Sequence, residues 1–176
     1  MQQKVMDRYA PGSVIVHQNM VYEPQQKLSL DLYQPQNIES IGPQPTIVWI
    51  HGGGWIAGSK THARGYFKLL AAQGFNVIAV QYQFAPHATY PTQLQQIDLA
   101  LNYITQHAEK YQLNPQQLFL AGDSAGANLA SHYAALLSNP TFAQQSNLQP
   151  TIQRKQLKGV ILHCGIYDLK AFVETA

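Results

Sequence analysis

Along the chain the spacing of apolar positions changes character once, near residue 46. Before it, SVIVHQNMVY and KLSLDLYQP alternate apolar and polar residues and end at turn formers. That pattern predicts two half-exposed, antiparallel strands in a hairpin or meander. After it, TIVWI, FNVIAV, QLFLAG and LKGVILHC are short, near-continuous apolar runs bounded by Gly, Pro or polar residues. Such runs fit parallel strands buried on both faces. Between them lie stretches with helical spacing: HARGYFKLLAAQG, closed by Gly74; PTQLQQIDLALNYITQHAEKY, opened by Pro91 and Thr92; and SAGANLASHYAALLSNP, stopped by Pro140. NPTFAQQSNLQPTIQRKQ reads as a Pro- and Gln-rich connection.

The order β, β, then β-α-β-α-β-α-β predicts an α/β fold with a mostly parallel sheet, helices on both faces and antiparallel strands at the N-terminal side. Ligands bind such sheets at the carboxyl ends of the strands. HGGG follows TIVWI and GDSAG follows QLFLA, so both glycine-bearing turns are expected at that edge.

Composition narrows the function more than the fold. The 176 residues suffice for one domain with a substantial core, and neither a repeat nor an internal linker interrupts them. Only 11% are charged, with about two dozen scattered glutamines supplying surface polarity. A net charge of +2 with dispersed basic residues, densest in RKQLK, excludes a nucleic-acid footprint. The single cysteine, Cys164, can form no internal disulfide and is expected as a buried thiol in GVILHCG. No run of 18 apolar residues suggests a membrane span, and MQQKVMDRYAPGS has no apolar leader core, which points to the cytoplasm. Oligomeric state is left open.

Two motifs carry candidate chemistry. GDSAG, residues 122 to 126, matches the G-x-S-x-G elbow, a sharp strand-to-helix turn that raises a strained serine above the sheet edge. Gly122 and Gly126 are needed there because a Cβ would collide where helix and strand nearly touch. Ser124 then stands at a helix N-terminus, where unpaired N–H groups favour negative charge. HGGG, residues 51 to 54, explains itself by the same chemistry: acyl transfer needs preorganised N–H donors for an oxyanion. The Ala125 N–H would be one donor, and only glycines bring further bare amides that close. The roughly seventy residues between Gly54 and Ser124 accommodate two strand-helix units, so both turns can reach adjacent strand ends.

On LSLDLYQP, HGGGWIAGSK, the QYQFAP…YP segment, the helix around Asp98, GDSAGAN and GVILHCGIYDL, the chain resembles the hormone-sensitive lipase-like branch of the α/β-hydrolases. The resemblance covers most of the sequence. It implies Ser124 as nucleophile, Gly53, Gly54 and Ala125 as oxyanion donors, and His51 as a brace for the glycine loop. It also implies a small-molecule ester substrate of short or medium acyl chain and no cofactor. Where the family commonly has Tyr-Arg-Leu-Ala-Pro-Glu, this sequence has Tyr82-Gln83-Phe84-Ala85-Pro86-His87, which removes both members of a local ion pair.

The family triad runs Ser…Asp…His. After Ser124 the carboxylates are Asp168 and Glu174, and no histidine follows either. His163 is the nearest by topology but ends a strand and is expected as a hydrogen-bonded core residue. His132 lies eight residues along the helix, about 12 Å from Ser124 and too far. His17, His62, His87 and His107 read as surface or loop positions, Asp168 as turn chemistry, and Asp98 as a helix-face or loop anchor. Residues 1–176 are therefore expected to be the N-terminal portion of one α/β-hydrolase domain, with the acid and base beyond Ala176 and the 176-residue chain inactive alone.

GGWIAGSK is not a phosphate loop, because Ser59-Lys60 reverses the required Lys-Ser/Thr order. No metal-ligand spacing occurs, and one cysteine builds no zinc site. Two other functions stay open: a kynurenine formamidase-like amide hydrolase, which HGGGW with GxSAG also resembles, and a non-catalytic α/β-hydrolase-like binding module.

Overall fold

The computed structural model describes residues 8–170. One sheet of six strands runs through it in the order β1-β2-β4-β3-β5-β6. Its strands are β1 (Val14–Glu23), β2 (Leu28–Pro35), β3 (Gln44–Ile50), β4 (Asn76–Val80), β5 (Leu113–Asp123) and β6 (Leu157–His163). β1 pairs antiparallel with β2 and β2 antiparallel with β4, while β4, β3, β5 and β6 are parallel. Five helices connect them: α1 (Ile38–Ile41), α2 (Arg64–Ala72), α3 (Thr92–Gln106), α4 (Ala125–Ser138) and α5 (Pro140–Ser146).

The period-two alternation of β3 divides the core. Val48 and Ile50 join Leu30, Leu32, Ile78 and Val80 on the face covered by α3 and α4, through Leu94, Ile97, Leu101, Leu129 and Tyr133. Ile47 and Trp49 join Tyr33, Val77 and Ala79 on the opposite face, under Phe67 and Ala71 of α2. Both faces of the central strands are thus dry, as their continuous apolar runs require.

Three elements differ from expectation. β2 is not half-exposed: seven of its eight residues are buried, because β1 and β4 flank it and α2 packs against it. Its alternation therefore places Asp31 inside the protein at 1% exposure. β6, whose apolar run fits burial on both faces, pairs with β5 alone among the described residues, and its Val160 and Ile161 are 41% and 39% exposed. The connection after α4 holds a helix, α5. Asn139 caps it by accepting the Phe142 N–H at 3.1 Å, and Pro140 occupies its first turn. Pro140 thus ends one helix and begins the next.

Candidate active site

The inner strands finish level. Ile50 pairs with Val80 on one side and Gly122 on the other, and Asp123 pairs with His163. The residues that follow, His51–Gly54, Gln81, Ser124 and Cys164, share one edge of the sheet.

Ser124 has φ 50° and ψ −119°, a conformation that costs a non-glycine residue about 1–3 kcal/mol and survives only where the surroundings enforce it. Two hydrogen bonds enforce it here. Its N–H donates to the His163 carbonyl at 2.8 Å, and its carbonyl accepts the Asn128 N–H at 3.1 Å. The flanking glycines let α4 start against the strands: a Cβ on Gly126 would lie 2.0 Å from the Ile50 oxygen, and one on Gly122 would lie 2.6 Å from the Gly126 carbonyl. Ala125, fully buried, is the first residue of α4, so its N–H has no acceptor within the helix.

The glycine loop lies directly beside this turn. Gly52 is buried against it, and a Cβ there would sit 3.1 Å from Ser124 Cβ and 2.8 Å from the Asp123 oxygen. Gly53, Gly54 and Trp55 all have positive φ, at 125°, 61° and 62°. The Gly53 carbonyl accepts the N–H groups of Ile56 and Ala57 at 3.2 and 3.0 Å, which folds the loop back on itself. Among the described residues no hydrogen bond engages the amides of Gly53, Gly54 or Ala125. Bare amides on both sides of a half-buried serine are a suitable cradle for an oxyanion.

His51 lies beneath the loop at 1% exposure. Its Nδ1 is 2.8 Å from the Gly52 carbonyl, and its ring stacks on Tyr82 at 4.4 Å between centroids, while the Tyr82 hydroxyl donates to the His51 carbonyl at 2.8 Å. Burial pushes its pKa below the ordinary histidine value, against the smaller opposing effects of the Gly52 hydrogen bond and Asp123. Asp123 accepts the Trp49 indole N–H at 3.2 Å.

The other histidines are scattered. His163 is exposed rather than a hydrogen-bonded core residue, since among the described residues β6 is flanked by β5 alone; its ring lies on Trp49 at 5.5 Å and 28°. Cys164 is likewise exposed, not buried. His132 sits half-buried on α4 between the rings of Tyr90 and Phe142, and burial lowers its pKa. His62 and His87 are exposed, but His17 and His107 are half-buried, packed against Tyr111 and Tyr103. Asp98 is an anchor: it accepts the Tyr133 hydroxyl and the N–H and hydroxyl of Thr151, the last two at 2.8 and 3.0 Å. Asp168 is exposed after β6, and Glu174 lies outside the described residues.

Sequence reasoning missed three supports of the site. Lys60 forms a buried ion pair with Asp31 and donates to Asn19 Oδ1 at 2.7 Å. Gln81 bridges the glycine loop to Lys60, its Oε1 accepting the Lys60 N–H at 3.0 Å. Gln83, standing where the family has arginine, exchanges hydrogen bonds with Gln96, which donates on to Gln26 at 2.7 Å. The one available signal was Asp31, a carboxylate inside the apolar run LSLDLY.

A family model described as BD-FAE matches residues 30–176. The chain belongs to the BD-FAE family. An acetyl esterase of Salmonella choleraesuis is 38% identical to this BD-FAE chain over 140 residues, covering 79% of it and 39% of the relative. The crystal structure of a C6-C4 SN3 inhibited esterase B from Lactobacillus rhamnosis superposes with TM-score 0.85 at 27% identity, over 99% of this chain and 57% of that one. A bacterial heroin esterase superposes with TM-score 0.65 at 26% identity, over 85% and 46% of the two chains. The fold is that of the α/β-hydrolases, with which the hormone-sensitive lipase-like resemblance is consistent. This BD-FAE chain spans about two fifths of the length of that acetyl esterase and under three fifths of esterase B. Among the described residues no helix is long and apolar enough to cross a membrane.

Proposed function

We propose that this protein is a serine hydrolase of carboxylic esters with short to medium acyl chains, working through an acyl-enzyme. Ser124 Oγ attacks the ester carbonyl and passes its proton to a histidine base, which the family order places C-terminal to the nucleophile. The N–H groups of Gly53, Gly54 and Ala125 hold the oxyanion of the tetrahedral intermediate. Its collapse expels the alcohol and leaves the acyl group on Ser124, and water attacking the same carbonyl releases the acid.

The observation that carries this reading is the strained φ/ψ of Ser124 with Gly52 packed against its Cβ, since neither a folding turn nor a binding loop needs both. The acetyl esterase relative, at 38% identity, makes acetyl esters the first substrates to try. The full-length protein is expected to hydrolyse p-nitrophenyl acetate or butyrate. Ser124→Ala should leave only the residual catalysis of binding and the oxyanion hole, a loss on the order of 10⁴-fold or more. Turnover retained in that variant refutes the assignment.

A further inference from the structure

Gln81 follows β4 and meets three partners at once. Its Oε1 accepts the Lys60 N–H at 3.0 Å, and its Nε2 donates to the Tyr82 carbonyl at 3.1 Å and lies 3.2 Å from His51 Nε2. The first contact fixes which end of the amide is which, because a backbone N–H can only donate. Gln81 must then present its NH₂ to His51, and His51 Nε2 must accept. On the other side of the ring, the Gly52 carbonyl can only accept, so His51 Nδ1 must carry the hydrogen. The two contacts agree on one species, the neutral imidazole protonated at Nδ1.

We propose that Gln81 is a positioning residue for the glycine loop: it selects the Nδ1–H tautomer of His51, through which it holds the Gly52 carbonyl and hence the amides of Gly53 and Gly54. The inference rests on the reading of that loop as an oxyanion hole. Flipping the ring protons would put a bare Nδ1 lone pair against the Gly52 oxygen at 2.8 Å, and the loop would have to move. It has little room to do so, since the ring also packs under Gly58, where a Cβ would lie 2.3 Å from His51 Nδ1. Gln81 is itself fixed, because its carbonyl accepts the Tyr22 hydroxyl and its Lys60 partner is tied to Asp31. The other titratable groups acting on His51 are Asp123 and His62, with the Tyr82 ring stacked on it; Asp123 favours the imidazolium and His62 opposes it. Its lowered pKa is in keeping with a neutral ring.

The test uses the full-length protein and two readouts. The first is the ¹⁵N and ¹³C shift pattern of the His51 ring, which distinguishes the two neutral tautomers and the imidazolium without any turnover. The wild type is expected to show the Nδ1–H tautomer from pH 6 to 8. Gln81→Met should mix the tautomers and shift the Gly52–Gly54 amide resonances. The second readout is p-nitrophenyl acetate hydrolysis. Gln81→Met should lower kcat about tenfold with KM within about twofold, because oxyanion donors act in the transition state. Gln81→Glu retains the acceptor for the Lys60 N–H and pairs with a doubly protonated His51. Its carboxylate raises the imidazolium pKa, so its loop geometry holds at low pH and is lost as pH rises through that value. Its kcat should lie within about threefold of wild type at pH 6 and gain a falling alkaline limb that the wild type lacks. An Nε2–H tautomer or an imidazolium in the wild type at pH 7.5, or ring signals and kcat unchanged in Gln81→Met, overturns the proposal. A wild type that turns over no ester removes the hydrolase reading, while the tautomer and its response to Gln81→Met still decide what Gln81 does.

Discussion

Gly52→Ala probes the joint between the glycine loop and the elbow with the smallest possible change. The added Cβ would lie 2.5 Å from the Asp123 carboxylate, 2.8 Å from the Asp123 carbonyl oxygen and 3.1 Å from Ser124 Cβ. The carboxylate can rotate away, but the carbonyl belongs to β5 and cannot. Ordinary carbon contact begins at 3.4 Å, so the backbone contact falls short by about 0.6 Å and the serine contact by about 0.3 Å. The loop is the softer partner and must retreat by roughly half an ångström or more. A misplacement of about 1 Å at a catalytic group costs about 10²-fold in rate, so kcat is expected to fall between about 10- and 10²-fold with little change in KM. Overpacking of this kind also costs about 1–3 kcal/mol of stability. Gly12→Ala is the control: it lies outside the site and a Cβ there meets nothing within 4 Å, so kcat should stay within about threefold. The assay is p-nitrophenyl acetate hydrolysis by the full-length protein, with circular dichroism to check folding. A folded Gly52→Ala variant with wild-type kcat would refute the claim that loop and serine are in steric register.

Two further outcomes concern buried charge. Lys60→Met leaves Asp31, at 1% exposure, without its cation and should cost about 3–5 kcal/mol in urea unfolding, whereas adding Asp31→Leu should recover most of the loss; a double variant no better than the single one contradicts this account. His132 Nδ1 is buried with no hydrogen-bond partner among the described residues, so His132→Leu should stabilise by about 1 kcal/mol at pH 7. Because burial depresses the His132 pKa from its ordinary 6.5, its neutral form contributes stability above that value, lost as pH falls through the folded pKa. The variant should therefore show a shallower loss of stability below pH 6.5, and an acid slope identical to wild type would count against the assignment.

Much of this protein is legible along one dimension. Periodicity set the strand and helix order, since a strand buried on both faces must be apolar throughout and a covering helix only on one side. Local backbone chemistry marked the site, because three glycines after TIVWI and a serine between two glycines after QLFLA are each costly unless the turn demands them. What stayed hidden depends on neighbours distant in the chain. The alternation of LSLDLYQP says that Ser29 and Asp31 share a face, but whether that face is wet depends on α2 and β4, which lie far downstream. LKGVILHC is apolar enough for the interior, yet among the described residues β6 pairs with β5 alone, and His163 and Cys164 are exposed. Glutamines scattered singly carry no pattern, and only folding brings Gln81 to His51 or Gln83 to Gln96 and Gln26. The sequence by itself determined where the strained, closely packed turns fall, because strain and close approach are properties of a few consecutive residues. Only the tertiary structure decided what holds those turns in place, because a buried polar side chain is satisfied by whichever partner the fold delivers.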